Sequence, residues 1–155
     1  MFQVKAFNDL TLDELYQILK TRVAVFVVEQ NCPYKEVDGI DDQCFHLFTE
    51  EAGELTSYCR LIPPGVMYDE PSIGRILVHP DFRKNKLGRQ LLTKAIETAK
   101  MKFERHDIKI HAQVYLYDFY RSFGFKPVSE EYLEDDILHV DMVLEESTGT
   151  PDNAF

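Results

Sequence analysis

The order of segments predicts a single α+β domain in an α/β three-layer arrangement, with one mixed central sheet flanked by helices. Strand-like and helix-like stretches follow one another as strand, helix, strands, helix, strand, helix, strands. The best-defined unit is an apolar strand from Ile73 to Val78, a basic turn from Arg83 to Gly88, and a long helix. That helix carries Leu87, Leu91, Leu92, Ala95, Ile96 and Ala99 at helical spacing on one face. The chain has 155 residues, 45% of them hydrophobic, which is enough for one core burying roughly 70% of the unfolded surface. The domain is expected over residues 1–144, with 145–155 as a flexible, polar C-terminal tail holding Gly149 and Pro151.

Phe2 to Phe7 reads as the first strand. Thr11 and Glu14 form a capping-box pattern, N-cap and third helical position, so a helix starts at Leu12. Its apolar face is expected to hold Leu12, Leu15, Tyr16 and Leu19. It is expected to continue through Val23 to Val28, because no turn signal intervenes. Gln30 to Asp42, with Pro33, Gly39 and several acids, reads as a loop with room for a short helix. Cys44 to Glu50 and Glu54 to Ile62 read as a hairpin across Glu51-Ala52-Gly53. Ile108 to Ala112 is a further strand, and Val114 to Phe123 a short aromatic helix stopped by Gly124. Phe125 to Val128 and Ile137 to Leu144 complete the sheet, with an acidic loop from Glu130 to Asp136 between them.

A formal net charge of -10 argues against nucleic acid or an anionic membrane as partner and favours cationic or amine-bearing small molecules. The three cysteines, Cys32, Cys44 and Cys59, lack metal-ligand spacing and fit reduced thiols in a cytoplasmic setting. No basic-then-apolar leader opens the sequence, and the longest apolar run, Val23 to Val28, is too short to span a bilayer. If the chain self-associates, a homodimer is the expected form.

Arg83, Lys84, Lys86 and Arg89 crowd the point where the long helix begins. Cations at the positive end of a helix dipole cost about 0.3–1 kcal/mol each. Either the turn is a solvated basic loop, or an anion bound by free backbone N–H groups reverses that sign. A nucleotide-binding loop is disfavoured, because no G-K-S/T follows a glycine-rich turn.

R-K-N-K-L-G, Arg83 to Gly88, resembles motif A of the GCN5-related N-acetyltransferase (GNAT) superfamily, Q/R-x-x-G-x-G/A, with Lys86 standing where the first glycine falls. Gln113 to Phe125 resembles motif B of the same superfamily through Tyr120, Gly124 and Phe125. Arg22 to Asp41 and Glu134 to Met142 are similar to the ElaA-like branch, so the likeness covers the chain up to about Leu144.

The resemblance implies a GNAT acyl-CoA N-acyltransferase fold, with the sheet split between its fourth and fifth strands. It implies an N-acetyltransferase that moves the acetyl group of acetyl-CoA to a primary amine of a small molecule or peptide, by direct attack and without metal. Ile76, Leu77 and Val78 would hold the thioester and pantetheine through their backbone. Arg83, Lys84, Asn85, Lys86, Leu87, Gly88 and Arg89 would hold the pyrophosphate, with Gln113 and Tyr120 facing the cofactor. Tyr120 is the expected proton donor to sulfur, since a phenol keeps its proton at neutral pH; a core aromatic is the plain alternative. The base is expected at Glu29, if partial burial raises its pKa, or at His139; a half-buried strand histidine is the competing reading of the latter. His79 shapes the strand exit. His46 and His139 show no metal spacing. Arg22, Glu29, Tyr34, Glu36, Arg60 and Arg75 are the substrate-binding candidates, with solvated acids and ion pairs as the alternative. A non-catalytic acyl-CoA sensor is the rival function, with Tyr120 and the acidic front loop arguing against it.

Overall fold

The computed structural model describes residues 1–145, so the tail expected over 145–155 lies outside the described residues from 146 onward. Eight strands form one sheet: β1 (Gln3–Ala6), β2 (Phe45–Glu51), β3 (Glu54–Ile62), β4 (Ser72–Val78), β5 (Ile108–Gln113), β6 (Lys126–Pro127), β7 (Tyr132–Glu134) and β8 (Ile137–Leu144). Their order is β1-β2-β3-β4-β5-β8-β6, with β7 paired to β8 beside β6. Three α-helices accompany them: α1 (Leu12–Arg22), α2 (Leu87–Phe103) and α3 (Tyr117–Arg121).

The sheet is sandwiched because its strands alternate. Leu47, Cys59, Leu61 and Ile73 point one way, onto Leu91, Leu92, Ala95 and Ala99 of α2. Phe48, Tyr58 and Leu77 point the other way, onto Ile18 of α1 and Val25 beyond it. Each fully buried apolar side chain is worth about 1.5–3 kcal/mol. The α2 face agrees with the sequence reading.

The α1 start agrees too: Thr11 Oγ1 accepts from Glu14 N–H at 3.0 Å and Glu14 Oε1 from Thr11 N–H at 2.8 Å. Its buried face does not. Leu12 and Tyr16 are exposed, and the helix turns Ile18, Thr21 and Arg22 inward instead. The reason is electrostatic: Arg22 must reach carboxylates beneath the sheet, and that fixes the rotation of the helix. Val23–Glu29 continues α1 as a π-helix, the widened form that shifts side-chain phase.

Three C-terminal expectations are corrected. The acidic stretch Glu130 to Asp136 is not only loop, because Tyr132–Glu134 pairs with Ile137–His139 around a turn in which Asp135 and Asp136 both have positive φ. The strand expected from Phe125 to Val128 shrinks to Lys126–Pro127, since Phe125 is drawn wholly into the core. The aromatic helix is likewise split into a 3-10 turn, Val114–Leu116, and α3.

The feature that positions the site is a parting of β4 and β5. They are parallel neighbours, yet only Ser72 and Lys109 pair. On its other edge β4 pairs with β3, Leu77 opposite Tyr58 and Gly74 opposite Arg60, which leaves one extra residue in β4. That is a bulge, and Arg75 takes it up at φ 52°. The bulge bends β4 away from β5, so the β5-facing edge from Ile73 to Val78 has no ladder partner.

Candidate active site

The parted strands open a cleft of about 480 Å³. Its walls are β4 from Ile73 to Val78, the π-helix end with Glu29, β5 with His111 and Gln113, α3 with Phe119 and Tyr120, and the β7–β8 hairpin with Glu134 and His139.

The cleft's cationic end is the turn into α2. Pro80–Asn85 forms a 3-10 turn, and Lys86 follows at φ 57° as the N-cap of α2 without a side-chain cap. Where a motif glycine would relax into this left-handed conformation, a lysine is held in it. Uncapped N–H groups at the head of a 17-residue helix, with Lys84 and Lys86 beside them, are what a diphosphate requires, so the residues present fit that group. Arg83 and Gly88 line the cleft. Arg89 is turned away: its guanidinium lies 4.5 Å from the Phe123 ring centroid and donates to Ser122 Oγ at 3.1 Å, which ties α2 to α3.

Glu29 is the clearest departure from expectation. Arg83 holds it bidentately, Nη1 to Oε2 at 2.7 Å and Nη2 to Oε1 at 2.8 Å. Those hydrogen bonds lower its pKa, where a raised value was expected of a partly buried base.

Tyr120 lies in the cleft wall and is only 6% exposed; burial raises its pKa, so the phenol stays protonated. His139, 8% exposed, places Nδ1 2.7 Å from the carbonyl oxygen of Ile137. The carbonyl can only accept, so Nδ1 carries the hydrogen, and in the neutral ring Nε2 bears the lone pair. Gln113 reaches across the cleft, donating from Nε2 to Gln30 Oε1 at 3.3 Å.

The substrate-binding candidates divide. Tyr34 and Arg75 line the cleft, whereas Arg22, Glu36 and Arg60 do not. Arg22 and Arg60 are fully buried and paired with carboxylates, Arg60 Nε alone being left without a partner among the described residues. Arg22 donates to Glu36 Oε2 at 2.6 Å and Asp41 Oδ1 at 2.7 Å. Arg60 donates to Asp41 Oδ1 at 2.9 Å and to both oxygens of Asp38 at 2.8 Å. Arg75 adds a bond to Glu36 Oε2 at 2.7 Å, and Tyr34 O–H closes on the other oxygen of Glu36. Three guanidiniums and three carboxylates thus neutralise one another beneath the 30–42 loop. Burial would raise Asp38, but Arg60 overcomes that and holds it at about 2. The network fixes the loop and the β4 bulge, and it offers Arg22 and Arg60 to no ligand.

His79 does shape the strand exit, its Nδ1 accepting from Asp81 N–H at 3.2 Å. His46 is buried against Tyr58 O–H, 2.6 Å from Nδ1, on the opposite side of the sheet from α2. Sequence reasoning missed His111 and Glu134. They meet His139 only through strand register, which no local spacing reveals.

A mixed sheet that opens between a parallel β4 and β5 beside a basic helix-capping turn defines the acyl-CoA N-acyltransferase fold. Residues 10–146 match the acetyltransferase (GNAT) domain family, and the chain belongs to it, in the ElaA-like branch. A UPF0039 protein of Schizosaccharomyces pombe is 48% identical over 146 residues, 93% of this chain and 96% of that protein. The crystal structure of an acyl-CoA N-acyltransferase from Pseudomonas aeruginosa aligns with TM-score 0.87 and 39% identity, over 92% of this chain and 98% of that one. Escherichia coli ElaA aligns with TM-score 0.87 and 37% identity, over 94% and 99%. Among the described residues, no helix is long and apolar enough to cross a membrane.

Proposed function

We propose that this chain is an N-acetyltransferase that passes the acetyl group of acetyl-CoA to a primary amine on a small molecule or peptide, by direct attack. The observation that carries the reading is the unpaired β4 edge running from the bulge at Arg75 to the uncapped head of α2, with Tyr120 in the same wall. The acyl-CoA description of the Pseudomonas structure supports the donor class.

Acetyl-CoA supplies a thioester whose sulfur leaves readily. The chain's own part is positional. The backbone of Ile76 to Val78 offers hydrogen bonds to the thioester carbonyl and to the pantetheine amides. Arg83, Lys84, Asn85, Lys86, Leu87 and Gly88 form the diphosphate cradle. Nε2 of His139 takes the proton that the attacking amine must shed. Tyr120 O–H, kept protonated by burial, donates to the sulfur as charge builds on it. Glu29, already committed to Arg83, is the weaker base of the two. Glu134 and Asp135 give the acceptor end of the cleft a negative lining suited to a cationic amine.

The test is thiol release from acetyl-CoA across a panel of amines, with binding followed by calorimetry. Turnover should fall about 10²- to 10⁴-fold in His139→Ala, and fall also in Tyr120→Phe, with acetyl-CoA affinity kept in both. The His139→Ala deficit should shrink at higher pH, where the amine sheds its proton unaided. Acetyl-CoA binding without transfer to any amine would favour an acyl-CoA sensor; no binding would end the proposal.

A further inference from the structure

At the acceptor end of the cleft three strands bring together two imidazoles and a carboxylate. His111 sits on β5, Glu134 on β7 and His139 on β8, and their ligand atoms lie within 4.8 Å of one another. Register makes this meeting: Gln113 is opposite His139, His111 opposite Asp141, and Glu134 opposite Ile137. Residues two apart on a strand share a face, so all three project from the same side of the sheet.

Hydrogen bonds hold the three side chains in this arrangement. Tyr132 O–H donates to Asp141 Oδ1 at 2.6 Å, which uses its one hydrogen. His111 Nδ1 lies 2.9 Å from the Tyr132 phenol oxygen and 3.3 Å from that of Tyr68, whose O–H can donate to it. The other ring nitrogen, Nε2, faces Glu134 Oε2 at 2.8 Å, where a hydrogen on Nε2 or a metal ion joins the two. In the neutral ring of His139 the Nδ1–H is spent on Ile137 O, and Nε2 presents a lone pair with no hydrogen-bond partner among the described residues.

We infer that His111, Glu134 and His139 form a transition-metal site, with zinc as its natural occupant. Two imidazole nitrogens and one carboxylate oxygen are a recurrent three-ligand zinc set, and the fourth position opens onto the cleft. His139 is already oriented as a metal ligand requires, by a backbone carbonyl, and the His111 ring is held in place by Tyr132 and Tyr68. Tetrahedral zinc sets its ligands about 3.3 Å apart, from bonds near 2.0–2.1 Å. His111 Nε2 and Glu134 Oε2, now 2.8 Å apart, would part slightly to reach that spacing, and Glu134, with its side chain 51% exposed, is the member placed to adjust. Sequence gives no hint of the site, since its members are far apart in the chain and share no metal spacing.

The site has a consequence that rests on the reading of His139 as base. A metal ion on Nε2 occupies the lone pair that would accept the amine's proton, so zinc would inhibit transfer.

Titrating the full chain with zinc chloride by calorimetry, after chelator treatment, tests the site apart from any activity. One zinc per chain is expected, with affinity falling about 10- to 100-fold in both His111→Ala and Glu134→Gln, each checked for an unchanged melting temperature without metal. No zinc binding by the parent would overturn the proposal, showing that a proton fills the place between His111 and Glu134. Equal affinity in both variants would also overturn it, sending the metal elsewhere. Where an amine acceptor is in hand, the zinc concentration that halves transfer should rise by the same factor in His111→Ala. Should no amine be turned over, the calorimetric result still decides the metal site.

Discussion

Arg83 and Glu29 clasp each other across the mouth of the cleft, joining the turn before α2 to the end of the π-helix through two hydrogen bonds of 2.7 and 2.8 Å. Both side chains remain about two-fifths exposed, so the pair is a weak brace. It is also a competitor, because the guanidinium that would meet a diphosphate is shared with a carboxylate. Glu29→Gln should therefore tighten acetyl-CoA binding several-fold, and Arg83→Ala should weaken it about 10-fold, in line with loss of a charge-assisted pair. Calorimetry with acetyl-CoA measures both. Affinity unchanged in Arg83→Ala would confine that side chain to bracing the turn.

Asp41 serves two buried guanidiniums through one oxygen, Arg22 at 2.7 Å and Arg60 at 2.9 Å. Asp41→Ala should cost about 3–5 kcal/mol, because it strips a partner from charges with no access to water. For a chain of this size that is roughly a 10 °C fall in melting temperature. The acid limb follows from Asp38, lowered from 3.8 to about 2. A depressed folded-state pKa gives stability that is fully present above the unfolded value and is lost as pH falls through the folded one. The parent should hold its stability down to about pH 4–5 and lose it toward pH 2. Asp38→Asn should flatten that part of a pH–stability curve; a curve as steep as the parent's would clear Asp38 of the role.

Those carboxylates also mark how far the sequence could be read. The strand, basic turn and helix around Val78, Arg83 and Leu91 were legible, because periodicity and composition act locally. So were the hairpin at Ala52-Gly53 and the cap at Thr11. The α1 face was misjudged because hydrophobicity pointed to Leu12 and Tyr16, while Arg22 was pulled inward by Glu36 and Asp41, 14 and 19 residues away. Arg22 and Arg60 looked like ligand-binding cations for the same reason: charge is visible in a sequence, but its partner is not. The β7 strand was hidden in an acidic stretch whose pairing depends on β8. Glu29 was assigned a raised pKa from its apolar neighbours, and the ion pair with Arg83, 54 residues away, reversed the sign.

Gly124 ends the α3 segment at φ 100°, and a Cβ there would lie 3.1 Å from Leu144 Cδ1. Gly124→Ala meets both backbone strain and crowding against β8, so a loss of about 1–3 kcal/mol is expected. Tyr120 is four residues back in the same turn, and its carbonyl accepts from Phe123 N–H at 3.0 Å. Turnover should then fall more than acetyl-CoA affinity does, because the phenol is displaced while the diphosphate cradle is untouched. Equal loss of both would place the damage in the fold at large.

Lys86 separates two effects that a glycine in its place would merge. At φ 57° and ψ 21° it holds a left-handed conformation, which costs a non-glycine residue about 1–2 kcal/mol. Lys86→Gly should remove that strain and raise the melting temperature of the free chain by a few degrees. It also removes a positive charge from the head of α2, where a diphosphate would collect it. If Lys86 contributes to the cradle, acetyl-CoA should bind this more stable variant less tightly, and the thermal shift on adding acetyl-CoA should shrink. Lys86→Ala supplies the control: it loses the charge but keeps the strain, so affinity should fall without any gain in stability. A Lys86→Gly variant that gains stability and binds acetyl-CoA as tightly as the parent would leave the lysine no part in holding the cofactor.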